Sequence, residues 1–162
     1  MVVNTSRLNP LQLDLAYLAF FLGVRVNELV MERMATCGFK GVRESHGYLI
    51  QHLVESDRSI TELASRMEVT QQAASKTVAE LIDLGIVEAI AAKDRRAKRI
   101  RLSQRGWKCV RLGRLARARI DGNLVRTARK KNYEMARTSL LTCLRALGSI
   151  ERIRSRRVRA PR

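Results

Sequence analysis

Chemistry-bearing residues are scarce in this chain of 162 residues. Its three cysteines, Cys37, Cys109 and Cys143, are odd in number and far apart. Neither a disulfide framework nor a zinc site follows, and the usage fits a reducing cytoplasm. The two histidines, His46 and His52, lie six residues apart. They fall on different sides of a helix rather than at the i, i+4 spacing of a metal pair, and both read as structural or surface groups. Nothing resembles a glycine-rich phosphate loop, a His-Glu-x-x-His helix, a Gly-x-Ser-x-Gly elbow or a close carboxylate pair in an apolar setting. An enzyme is not expected, nor a cofactor or a bound metal. Long apolar runs are missing as well. The longest unbroken one, Leu15 to Leu22, falls short of the roughly 20 residues that span a bilayer. The first ten residues lack the charged-then-apolar order of a secretion signal. Phe and Trp do not interleave with the arginine-rich segments, which speaks against a membrane-surface helix. The expectation is a cytoplasmic protein.

Acidic residues are few, and they are unevenly placed. Residues 1 to 92 hold eight Lys or Arg against eleven Asp or Glu, a net of −3, whereas residues 93 to 162 hold 24 against 4, a net of +20. Unneutralised like charge opposes compaction, and a polyanion partner relieves it. Nucleic acid is the economical explanation, although most of these cations, taken singly, are ordinary solvated surface groups.

The basic half begins inside a patterned segment, Ser59 to Ser103. Ser59 followed by Glu62 fits a capping box and starts a helix with Leu63, Ala64 and Met67 as its apolar stripe. Thr70 is the N-cap of a second helix whose buried face is Ala74, Val78, Leu81 and Ile82. Its opposite face carries Gln71, Gln72, Ser75 and Lys76, side chains of the length and chemistry to reach base edges and phosphates. Gly85 suits the C-cap. Ile86 to Ala92 and Lys98 to Leu102 then read as strands, the second with Ile100 and Leu102 on one face and Arg99 and Arg101 on the other. Between them lies a cationic tip, Lys93-Asp94-Arg95-Arg96-Ala97. The layout is a winged helix-turn-helix, with a plain structural helix-hairpin subdomain as the alternative. Candidate DNA contacts are Thr70, Gln71, Gln72, Ser75, Lys76, Lys93, Arg95, Arg96 and Lys98.

Asp94, Arg96, Leu102, Ser103 and Gly106 match the wing and the following helix start of the MarR family of bacterial transcriptional regulators, which this chain resembles. Two wing positions depart from that pattern, Ala91 in place of an acid and Lys93 in place of an arginine, and Lys lacks the guanidinium fork. Glu68 occupies a turn position where the family usually has Gly. If that site needs positive φ, the substitution costs roughly 1 kcal/mol.

The resemblance implies a mainly α fold with a small β-hairpin wing: a winged helix-turn-helix lobe, residues 38–103, and a helical dimerisation lobe, residues 8–36 and 104–148. Leu11 to Met34 reads as a helix apolar around most of its circumference, more than a small lobe can cover alone. Gly38 to Glu44 is a connector, and His46 to Val54 a supporting helix with Leu49, Ile50, Leu53 and Val54 inward. Trp107 to about Lys131 is a helix, bent at Gly122. Asn132 to Leu147 is another, with Ala136, Leu140, Cys143, Leu144 and Leu147 on one stripe. These stripes fit either an intramolecular core or a homodimer that sets two recognition helices about 34 Å apart on a pseudo-palindrome. The family's logic also implies release by a small aromatic or anionic effector. Tyr17, Phe20, Phe21 and Trp107 are the candidates to line its cleft, with a core role as the alternative. Cys109, among Arg105, Lys108 and Arg111, would be a reactive thiolate if exposed and a small hydrophobe if buried. Residues 149–162 are read as a basic, disordered tail. The functional expectation is a DNA-binding repressor; the alternative is an architectural or non-specific nucleic-acid-coating protein acting through the arginine-rich half.

Overall fold

The computed structural model describes residues 9–91 and 98–154. A 3-10 turn, Pro10–Gln12, leads into α1 (Leu15–Thr36), α2 (Glu44–Leu53), α3 (Ile60–Met67) and α4 (Gln71–Asp83). The hairpin β1 (Val87–Ala91) and β2 (Lys98–Leu102) follows, then α5 (Gln104–Ala128), α6 (Lys130–Ala146) and the short α7 (Ile150–Arg154).

Local chemistry places most boundaries. Asp14 caps α1 by accepting the Tyr17 amide at 2.9 Å. The capping box at α3 is complete: Ser59 Oγ accepts from the Glu62 amide at 3.2 Å, and Glu62 accepts from the Ser59 amide at 2.6 Å. At its other end α3 closes with Glu68 in the left-handed region, φ 56°, while Val69 N–H reaches back to Ala64 C=O at 3.0 Å. Helix α4 closes in the same way at Gly85, φ 66°, with Ile86 N–H bonded to Leu81 C=O at 2.8 Å. Ile86, expected to open the first strand, therefore spends its amide on the helix, and β1 starts one residue later.

The hairpin is antiparallel with Val87 opposite Leu102 and Ala91 opposite Lys98. Ile100 and Leu102 point into the core, as their alternation requires. A third backbone segment, invisible in the sequence pattern, adds to the sheet: Arg58 and Ile100 exchange amide-carbonyl bonds of 3.0 and 2.7 Å. Leu49, Leu63, Leu81, Ile86 and Ile100 form the fully buried centre where α2, α3, α4 and the hairpin meet. Val30 and Met34 of α1 and Cys109 and Ala116 of α5 extend that core.

Three expectations are corrected. Ile82 lies at the margin of the α4 stripe and is 42% exposed rather than buried. The long C-terminal helix, expected to reach about Lys131, runs unbroken through Gly122 but ends at Ala128. It breaks at Arg129, whose φ of 64° interrupts the ladder and whose carbonyl then accepts from Tyr133 N–H at 3.0 Å to start α6. The tail expected to be disordered opens with α7, favoured by Glu151 in its first turn, while residues 155–162 lie outside the described residues. The apolar faces of the outer helices are not buried within one chain, which disfavours the intramolecular-core alternative. No residue of α6 is buried, Leu147 is 78% exposed, and Leu15, Tyr17, Leu18, Phe20 and Phe21 of α1 stand open. The expected supporting helix is α2, with Leu49, Ile50 and Leu53 buried and Val54 partly so.

Candidate nucleic-acid interface

The N-terminal half of α4 is anchored from behind and open in front. Thr70 Oγ1 accepts the Ala73 amide at 3.1 Å, fixing the first turn. Ala74, Val78 and Leu81 are buried against the rest of the lobe. Thr70, Gln71, Gln72, Ser75 and Lys76 are all exposed. Gln71 is the most constrained, because its side-chain amide donates to Thr61 Oγ1 of α3 at 3.1 Å. Gln72, Ser75 and Lys76, at i, i+3 and i+4, share one face toward solvent. Lys98 is exposed at the start of β2. Lys93, Arg95 and Arg96 lie outside the described residues.

The other arginines of β2 are tied to the protein. Arg99 donates to the Asp57 carbonyl and pairs with Glu62 at 3.5 Å, while Arg101 pairs across the hairpin with Glu88 at 2.7 Å. The Ser59 amide and hydroxyl bonds hold the Glu62 carboxyl below its usual range, Arg99 adding to the effect.

A second set of contacts fixes the far end of α4. Arg43, at the start of α2, and the buried His46 both converge on Glu80 Oε2, Arg43 through its guanidinium and His46 through Nε2 at 3.0 Å. His46 Nδ1 accepts from the Arg43 amide at 3.2 Å, so Nε2 carries the proton and donates to the carboxylate. The His46 bond, then Arg43, keeps the Glu80 carboxyl below the ordinary value. Sequence reading placed His46 as a structural or surface residue but gave no sign of this clasp, whose members are 34 and 37 positions apart. His52 is also buried.

Between α1, α2 and α5 lies a cavity of about 460 Å³. Val30, Met31, Met34, Tyr48, Val54 and Val110 give it apolar walls; Arg43, Arg114, Arg117 and Glu44 supply charge. None of Tyr17, Phe20, Phe21 and Trp107 lines it. The three α1 aromatics cluster on the open face of that helix, with ring centroids 5.4 and 6.3 Å apart, and Trp107 is 40% exposed on the first turn of α5. The cleft lies against the opposite end of α1. Cys109 borders this cavity yet is buried, and burial pushes its thiol up to about 11. The condition for a reactive thiolate is not met at this position. Among the described residues no cluster of His, Cys, Asp and Glu could hold a metal ion, and no helix is long and apolar enough to cross a membrane.

Residues 40–97 match the sequence model of the MarR family, a span that contains α2, the helix-turn-helix and β1 and ends just before β2. The described part of that span folds as a helix-turn-helix lobe similar to the one the family model describes. Solved structures extend the likeness to the outer helices of this MarR-type fold. MepR, a transcription regulator of the Staphylococcus aureus multidrug efflux pump MepA, superposes with a TM-score of 0.69 at 15% identity, covering 83% of this chain and 99% of that one. A S. aureus MepR–DNA complex gives 0.67 at 17% identity, covering 82% and 98%. YusO from Bacillus subtilis gives 0.64 at 19% identity, covering 83% and 93%. A comparison with curated proteins found no match.

Proposed function

We propose that this chain is a transcription regulator that binds duplex DNA as a homodimer and acts as a repressor. The observation that carries the reading is the solvent-open face of Gln72, Ser75 and Lys76 on a helix whose cap, core side and far end are all pinned. Preorganised hydrogen-bonding side chains at the N-terminus of such a helix are what major-groove readout requires. Lys98, with Lys93, Arg95 and Arg96 of the wing tip, supplies phosphate contacts beside it. A S. aureus MepR–DNA complex is among the similar structures, which supports the same use of the fold.

Dimerisation is supported by the apolar surface left open on α1 and α6. A run that includes Leu15, Leu18, Phe20, Phe21 and Leu22 is far more than scattered surface hydrophobes, and burying it against a second copy removes a contiguous patch from water. The α1 aromatics then serve the protomer contact. A small molecule with an anionic group and an apolar body fits the cavity between α1, α2 and α5, where three arginines face one glutamate. Such an effector releases DNA if it prefers a lobe arrangement whose two recognition helices no longer match the duplex; a preference of about 1.4 kcal/mol shifts the balance tenfold. The cell compartment that holds such DNA, the cytoplasm, is its place of action.

Selection of bound genomic fragments against excess random DNA over a salt series tests the reading. The expected result is a retained site with two related half-sites, and about tenfold weaker retention for Gln72→Ala or Lys76→Ala. Equal retention of every fragment, or a footprint over one isolated half-site by a monomer, would overturn it.

A further inference from the structure

Four of the cations of helix α5 share one side, while Arg105, Arg114 and Arg117 turn toward neighbouring elements. Gly106, Cys109 and Ala116 are its buried residues, and the opposite side runs through Lys108, Arg111, Leu115, Arg119 and Arg126, spaced by three, four, four and seven. At 3.6 residues per turn these positions form a single straight row, about 27 Å long at 1.5 Å per residue. All five side chains are exposed, Leu115 by 68%. The only acid on the helix is Asp121, which accepts the Tyr133 hydroxyl.

What sets this row apart is that four exposed cations without a carboxylate partner line up along one helix face. Arg25, Arg43, Arg58, Arg99 and Arg101 each have a carboxylate partner. Among the described residues, Lys108, Arg111, Arg119 and Arg126 have none; Arg126 donates to the neutral Asn123 amide oxygen. The geometry points to a second phosphate-binding surface, the outward row of α5, which engages the backbone of duplex DNA without reading sequence. It lies on a different element from the α4 face and does not depend on what that face recognises.

Three features favour a duplex as the occupant. A protomer contact through this row would set four cations against their own copies, whereas charged residues are depleted from interface cores and the open faces of α1 and α6 are apolar. A membrane surface needs a broad apolar face beside the charge, and Leu115 is the single apolar side chain within the row. A straight row of point and fork charges matches a strand that carries a phosphate every 3.4 Å along the duplex axis. With α4 on one duplex segment, the row on α5 can hold a neighbouring segment or a second duplex.

The test uses the full chain with all four cations changed, Lys108→Gln, Arg111→Gln, Arg119→Gln and Arg126→Gln. A charge-matched control carries Arg33→Gln, Lys40→Gln, Lys131→Gln and Arg145→Gln, all exposed and elsewhere. Affinity for a random-sequence 30-base-pair duplex is measured from 50 to 200 mM salt, together with capture of a free labelled duplex by protein bound to an immobilised one. Loss of four phosphate contacts lowers the slope of log K against log salt by about 3.6, so the row variant should lose about 150-fold less affinity across that range than wild type. Wild type and the control should capture the second duplex, and the row variant should not. Equal slopes and equal capture for the two variants would overturn the inference. So would a row variant that becomes monomeric by sedimentation while the control does not, since the face would then be a protomer contact. Loss of binding to anionic phosphatidylserine vesicles with DNA binding unchanged would also overturn it.

Discussion

Gly106→Ala is the substitution for which this structure makes its sharpest statement. Gly106 sits in the first turn of α5, and its amide is accepted by Ser103 Oγ at 2.9 Å. The same hydroxyl donates to the carbonyls of Gly85 at 2.6 Å and Ile86 at 3.1 Å, and the Ser103 amide donates to Ile86 C=O at 3.0 Å. This knot joins the end of α4, the base of the wing and the start of α5. A Cβ on residue 106 would lie 2.1 Å from Ile86 O and 3.2 Å from Leu102 Cδ2. Ordinary carbon-oxygen contacts are about 3.3 Å or more, so the overlap exceeds 1 Å and the obstacle is backbone. Relief requires α5 to move off the hairpin, losing the Ser103 cap, about 1 kcal/mol, and straining the Ile86 and Leu102 packing, about 1–3 kcal/mol. The gain of Ala over Gly in a helix offsets about 1 kcal/mol. The expected net destabilisation is about 2 kcal/mol, read as a lower urea midpoint at fixed protein concentration, with the m-value unchanged. Gly47→Ala is the control. It is also a helical glycine, but nothing lies within 4 Å of its added Cβ, and it should stabilise by about 0.5–1 kcal/mol. A Gly106→Ala protein as stable as the parent would refute the close approach.

Glu68→Gly should raise stability by about 0.5–1 kcal/mol in thermal unfolding, because it removes the cost of a side chain at φ 56° at the C-terminus of α3. Acid should weaken the lobe. The Glu80 and Glu62 carboxyls are held below their usual range, so the unfolded chain binds more protons, and stability present above the unfolded value near 4.3 is lost as pH falls below it. Unfolding followed from pH 7 to pH 3 should show this loss, and it should be smaller for Glu80→Gln. Under a thiol reagent the exposed Cys143 should react first, and Cys109 only on unfolding, counted by mass spectrometry. Leu147→Glu, a surface change costing under about 0.5 kcal/mol in a lone chain, should raise the dimer dissociation constant at least tenfold in sedimentation if α6 meets a second copy.

The elements that rest on local chemistry were legible in the chain. Ser59 with Glu62, Thr70, Gly85, and the alternation of Ile100 with Arg99 and Arg101 each act over a few residues, so their patterns survive in one dimension. The open face of Gln72, Ser75 and Lys76 follows from the same 3.6-residue period that buries Ala74, Val78 and Leu81. The charge step between the two halves needs no coordinates at all. Tertiary structure decided what depends on distant partners. Arg58 joining the sheet at Ile100, the clasp of Arg43 and His46 on Glu80, and Gly106 against Ile86 link positions whose pairing no local period encodes. The position of the cavity, away from the α1 aromatics, belongs with them. So does the end of α5 at Arg129, where a residue other than glycine takes a φ of 64° that no local sequence signal announces.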